Sequence, residues 1–159
     1  MMRKTILLLL LLSSLGALAQ NHAAMPGMAS HASVIDGAQH PELIPDSTAY
    51  RLYFETVAKM PADLLRVQLS SAGLSSDEID RAAAAIQQFK SSWDTLRDTY
   101  NQAVEAGTGP DLETFLFKRD RLVEQLLSNL QTIVTAEGYS RLQAHVQLEK
   151  RHMKVSAAN

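Results

Sequence analysis

The chain of 159 residues has no cysteine, a single tryptophan, five prolines and seven glycines. Without cysteine there is no disulfide, no thiolate metal site and no cysteine nucleophile, so an apolar core alone must hold any fold. Charge of either sign is modest, with 15 Lys and Arg against 17 Asp and Glu. A mildly acidic chain without a basic stripe is a poor nucleic-acid binder. Beyond residue 12 no apolar run approaches the ~18 residues of a membrane span, so no stable anchor is expected. No alternating β-branched stretch argues for a sheet. Gly-x-Ser-x-Gly turns and Gly-rich phosphate loops are missing, and no carboxylate stands alone in an apolar stretch. These absences predict a non-enzyme.

The first residues read as an export signal. Arg3 and Lys4 form a positive n-region, Ile6 to Leu12 an apolar h-region, and Ala17-Leu18-Ala19 a small-x-small cleavage site. The expectation is a signal peptide over 1–19, cleavage after Ala19 and export in soluble form. Losing Arg3 and Lys4 leaves 13 basic and 17 acidic residues in 20–159. The lack of cysteine and of Asn-x-Ser/Thr sequons fits a bacterial periplasm or medium better than a eukaryotic secretory route.

Residues 20–46 predict a flexible or extended N-terminal arm. Its first part is aperiodic, while Pro41 and Pro45 force extended backbone before them. Val34, Ile35, Leu43 and Ile44 are expected to pack this arm across the remainder of the fold. A helical bundle over 47–155 and a tail over 156–159 follow. Asp46 or Ser47 suits the N-cap of a first helix, with Tyr50, Tyr53, Phe54 and Val57 on one face. Pro61 marks a restart, and Leu64, Leu65, Val67 and Leu69 carry the chain to Gly73. One kinked helix and two separate helices both satisfy this pattern over 47–72.

The dominant element is a helix over 75–106. Ile79, Ala82, Ile86, Phe89, Trp93, Leu96, Tyr100 and Ala103 recur in steps of three and four, the period of a helix packed along a seam. Ser75 with Glu78 has capping-box spacing, and Gly107 suits the left-handed position that ends a helix. A second long helix over 111–134 carries Leu112, Leu116, Val123, Leu126, Leu130 and Ile133, interrupted by Arg119. Thr135-Ala136-Glu137-Gly138 breaks it, and a last helix runs past Tyr139, Leu142 and Val146 to Met153. The fold class predicted is all-α: an antiparallel helical bundle built round a long αα-hairpin.

Two patterns could bind metal. His22, Met25, Met28 and His31 recur every three residues, and thioether with imidazole suits copper. Cleavage after Ala19 would also place His22 third in the chain, where an amine, two amides and its imidazole can hold Cu(II) in a square plane. His145, Glu149 and His152, at i, i+4 and i+7, could offer three ligands to zinc, although a solvated polar face near a basic helix end is the preferred reading. Phe89, Trp93, Tyr100, Tyr50, Tyr53 and Phe54 are read as core, and Asp94 and Arg97 as surface charges.

The segment Asp36-Gly37-Ala38-Gln39-His40-Pro41-Glu42-Leu43-Ile44-Pro45-Asp46, followed by Ala49-Tyr50-Arg51, resembles a family of uncharacterised exported bacterial proteins. Those end in a stretch similar to Arg141-Leu142-Gln143-Ala144-His145-Val146-Gln147. A second resemblance is to the Spy and CpxP type of periplasmic helical chaperone and metal-stress proteins, which open helices with Leu-Thr-x-x-Gln turns. Leu74-Ser75-Ser76-Asp77-Glu78 and Val134-Thr135-Ala136-Glu137-Gly138 occupy comparable places, though neither has the Gln. This likeness implies an interaction protein that holds polypeptide clients and can form a homodimer. Copper or zinc binding through the His/Met tail is the alternative.

Overall fold

A computed structural model of the chain describes residues 34–109 and 111–156. Among them are five α-helices: α1 (Asp46–Val57), α2 (Ala62–Ser71), α3 (Ser76–Glu105), α4 (Leu112–Ile133) and α5 (Ala136–Glu149). The all-α class therefore holds, and residues 47–72 form two helices. Pro61 occupies the N-cap of α2, and the α1 C-cap N–H of Ala58 bonds the Phe54 carbonyl. Among the described residues no helix is long and apolar enough to cross a membrane.

Glycine ends two of the helices by one device. Gly107 (φ 69°) follows α3, and the N–H groups of Gly107 and Thr108 bond the Val104 and Ala103 carbonyls. Gly73 (φ 82°) does the same after α2. A side chain at either position would strain the left-handed backbone that satisfies these orphan carbonyls. Asp111 caps α4 by accepting the Thr114 N–H at 2.6 Å.

The core joins Phe54, Val57, Leu65, Leu69, Ile86, Leu130, Leu142 and Val146, all nearly or fully inaccessible. Leu64 and Val67, on the same short helix as Leu65 and Leu69, face solvent. That helix buries only the face it turns to α3, so one apolar stripe of two suffices. The arm behaves likewise: Ile44 is buried and Ile35 packs against the core, while Val34 and Leu43 are exposed.

Two features depart from the sequence reading. The arm is tied down by a two-stranded antiparallel sheet, β1 (Val34–Asp36) with β2 (Lys154–Ser156), in register Ile35 to Val155. Three-residue strands are too short to alternate visibly, and their pairing joins Ile35 to Val155, 120 positions apart. The last helix also stops earlier than expected, at Glu149, where a 3₁₀ turn over Lys150–His152 redirects the chain into β2. Asp46 does not cap α1; Pro45 stands at that position. Its carboxylate instead accepts Lys150 Nζ at 2.6 Å and Gln147 Nε2 at 3.1 Å. Lys150, 6% exposed, needs that anion because an unpaired buried charge is costly.

The N-termini of α3 and α5 meet. Glu78 Oε2 accepts the Ser75 N–H and hydroxyl at 2.9 Å each, and Oε1 accepts the Thr135 N–H and hydroxyl at 3.0 and 2.5 Å. Thr135 Oγ1 in turn accepts the Gly138 N–H at 3.0 Å. One carboxylate thus serves both helix starts, where the dipole also favours negative charge. The hydrogen bonds from Thr135 and Ser75 hold the Glu78 carboxyl down to about 2. Arg141 Nε donates to the Gly73 carbonyl and Arg81 Nε to the Ile133 carbonyl, both at 2.7 Å, closing the same junction.

Candidate functional site

The helices of the central hairpin differ in length from everything that covers them. α3 has 30 residues and α4 has 22, whereas α1 and α2 have 12 and 10. No residue of α3 after Phe89 is buried, and none of α4 before Val123. The seam nevertheless continues through Trp93, Leu96 and Tyr100, which are only half-buried. Trp93 and Tyr100 pack on Phe115 with ring centroids 5.9 and 4.3 Å away. Of the aromatic residues read as core, Tyr53, Phe54 and Phe89 are buried and Tyr50 packs on the core, but Trp93 and Tyr100 lie outside it. The contact that both make is with α4, the opposite arm of the hairpin, through Phe115. Apolar side chains are exposed over this half: Phe117 at 65%, Leu112 at 59% and Val104 at 52%.

One side of the hairpin carries a trough. Three hollows of about 100, 640 and 50 Å³ lie in line between α3 and α4. The first shares Ser92, Leu122 and Gln125 with the second, and the second shares Leu96, Thr99 and Lys118 with the third. Phe89, Leu96, Leu122 and Leu126 supply its apolar lining. On the α3 wall, Thr95 Oγ1 donates to the Ser91 carbonyl at 2.9 Å and Ser91 Oγ to the Gln87 carbonyl at 3.2 Å. With those hydroxyls engaged by their own helix, the wall demands few polar partners from anything laid against it. The charged residues lining the trough are Lys118 and Arg121, both basic and both from α4. Asp94 and Arg97 are surface charges as expected: Asp94 pairs with Lys90 at 2.7 Å and with Arg97 at 3.1 Å.

The zinc pattern is only partly assembled. His145 and Glu149 share a face, with Nε2 and Oε1 3.8 Å apart. His152 leaves that face because the α-helical register ends at Glu149, and it is exposed on the 3₁₀ turn. Among the described residues no group of three or more His, Asp or Glu is placed to hold a metal ion. His145 instead serves the packing of three helices. Its side chain is 13% exposed, its ring meets Tyr53 edge-on at 5.8 Å, and Nε2 lies 3.1 Å from Gln68 Nε2. A neutral imidazole nitrogen there accepts from the amide. Burial pushes the Tyr53 phenol well up, and the Glu149 charge acts in the same direction. His22, Met25, Met28 and His31 lie outside the described residues.

Two residues that matter structurally were not legible as such. Thr135 reads as a helix N-cap, but nothing in the sequence pairs it with Glu78, and nothing pairs Lys150 with Asp46. Each partnership joins positions far apart along the chain, 57 and 104 residues respectively. No family model, curated protein or solved structure matches this chain.

Proposed function

We propose that this chain is an exported, non-enzymatic helical protein that binds other polypeptides, in the manner of a chaperone, through the outer half of its central hairpin. The observation that carries this reading is the continuation of an apolar seam past the point where the body of the fold covers it. Trp93, Leu96, Tyr100 and Phe115 are only half-buried, and Phe117, Leu112 and Val104 stand in solvent. Exposed apolar side chains beside an incompletely buried seam are the kind of surface that interaction sites use. A two-helix arm buries little on its own, and a third helix or extended segment laid along it would remove that surface from water at ~25 cal/mol per Å².

The test is suppression of aggregation. At near-stoichiometric ratio the purified protein keeps a chemically unfolded substrate in solution, and the double variant Leu112→Ser, Phe117→Ser loses most of that effect while keeping its helical circular dichroism. A wild-type protein that leaves aggregation unchanged at every ratio overturns the proposal.

A further inference from the structure

We propose that the trough between α3 and α4 receives a single amphipathic helix from another polypeptide, whose apolar stripe is edged by acidic residues on the side facing α4. This rests on the reading of the chain as a polypeptide-binding protein and specifies what it binds.

Length comes first. The trough extends along α3 from Ala85 to Tyr100. At 1.5 Å per residue that is roughly 22 Å, or about four turns of helix. A helix fits better than a strand because the neighbouring backbone groups are satisfied within α3 and α4, leaving no edge for a strand to pair with. The small side chains Ser92, Thr95 and Thr99 line the α3 wall at helical spacing. They permit the interaxial distance of about 8–10 Å at which side chains of two helices interlock. Their neighbours Phe89, Leu96 and Leu122 give the incoming apolar stripe something to cover.

Charge then selects the occupant. Lys118 and Arg121 form the basic edge, and no acidic residue lines any of the three hollows. Among the described residues Lys118 has no ion-pair partner, and Arg121 meets only Glu124, with both side chains about 60% exposed. An ion pair that exposed contributes little and yields readily to a better-placed carboxylate. Acidic residues flanking an apolar stripe complete this edge, whereas basic residues are repelled by it. Two occupants from the chain itself fit poorly. A second copy presenting the same trough would bring no carboxylate among its lining residues to match Lys118 and Arg121. Residues 20–33 hold no acidic residue and contain Pro26-Gly27, which opposes helix formation.

The experiment measures binding of two synthetic peptides of about 15 residues to the full-length mature protein by fluorescence anisotropy. Both carry one leucine stripe at helical spacing; one is flanked by Glu, the other by Lys. The Glu peptide is expected to bind at least about tenfold more tightly, with affinity falling as salt rises. The double variant Lys118→Glu, Arg121→Glu reverses the preference, and Thr95→Trp, which fills the trough, abolishes binding of both. Circular dichroism and thermal midpoints confirm that each variant is folded. Equal binding of the two peptides, or binding that survives Thr95→Trp in the folded protein, overturns the proposal. So does a dimer, seen by sedimentation, that Thr95→Trp dissociates, since the trough would then belong to a second copy. Aggregation suppression that persists in folded Thr95→Trp leaves polypeptide binding standing and removes only the trough as its site.

Discussion

Glu78 and Thr135, 57 positions apart in sequence, share two hydrogen bonds through one carboxylate oxygen, at 3.0 Å from the threonine N–H and 2.5 Å from its hydroxyl. The other oxygen caps its own helix through Ser75. The start of the long hairpin and the start of the last helix are therefore anchored by the same side chain, which is 2% exposed. Removing it deprives four donors of their acceptor at once.

Glu78→Ala should lower stability by about 2–4 kcal/mol, since each buried donor left unpaired carries a desolvation cost. Thr135→Ala, which leaves the Ser75 half intact, should cost about half as much. Urea denaturation of both variants checks the ratio. Equal losses would mean that the Thr135 side contributes the whole effect.

Gly138 closes that junction from the other direction. A Cβ there would collide with the Glu78 carboxylate, which cannot retreat without abandoning Ser75 or Thr135. Gly138→Ala should destabilise by about 1–3 kcal/mol, as overpacking does. Glycine ordinarily weakens a helix by up to about 1 kcal/mol relative to alanine, so the sign of the measured change is diagnostic.

Acid sensitivity follows from the same carboxyl. Its folded value of about 2 lies below its ordinary 4.5, so the folded state holds the anion more strongly than the unfolded chain does. That stabilisation is complete above pH 4.5 and disappears as pH falls towards 2. Stability measured by urea midpoint should therefore drop over this window, and Glu78→Gln should flatten the drop while lowering the plateau above it.

Asp46 and Lys150 tie the start of α1 to the turn before β2. Lys150 is 7% exposed at its side chain but Asp46 is 67%, so water partly replaces a lost carboxylate. Asp46→Ala should cost about 1–2 kcal/mol, and Lys150→Met less, because that variant removes the buried charge itself and leaves the exposed Asp46 carboxylate to water. Amide exchange at Ile35 and Val155, which face one another across the sheet, should accelerate in Asp46→Ala.

Local stability should divide the hairpin. Amides of residues 93–105 and 112–121 are expected to exchange through openings of lower free energy than those of 82–89 and 123–130, whose apolar side chains enter the core. Native-state hydrogen exchange measures this directly. Uniform protection along both helices would mean that the outer half is covered in solution.

Periodicity and end signals carried most of the architecture. The steps of three and four from Ile79 to Ala103, the Ser75–Glu78 spacing and Gly107 placed α3 to within a residue, because helix formation and capping are settled by neighbours a few positions away. Pro61 marked the α1–α2 break for the same reason. Periodicity could not tell that Trp93 and Tyr100 escape the core, since a seam has the same spacing whether or not other helices reach it. Depth depends on the lengths of α1 and α2, which end before the seam does.

What the sequence alone determined is the class of fold, the position of the central hairpin and the turns that delimit it, all products of short-range sterics and hydrogen bonding. Tertiary structure decided which half of the hairpin is covered, that Glu78 reaches Thr135 and Asp46 reaches Lys150, that three residues at each end of the described chain pair as strands, and that Lys118 and Arg121 edge an apolar trough. Each of these depends on residues distant in sequence arriving at the same place, and distance along the chain leaves no mark in local composition.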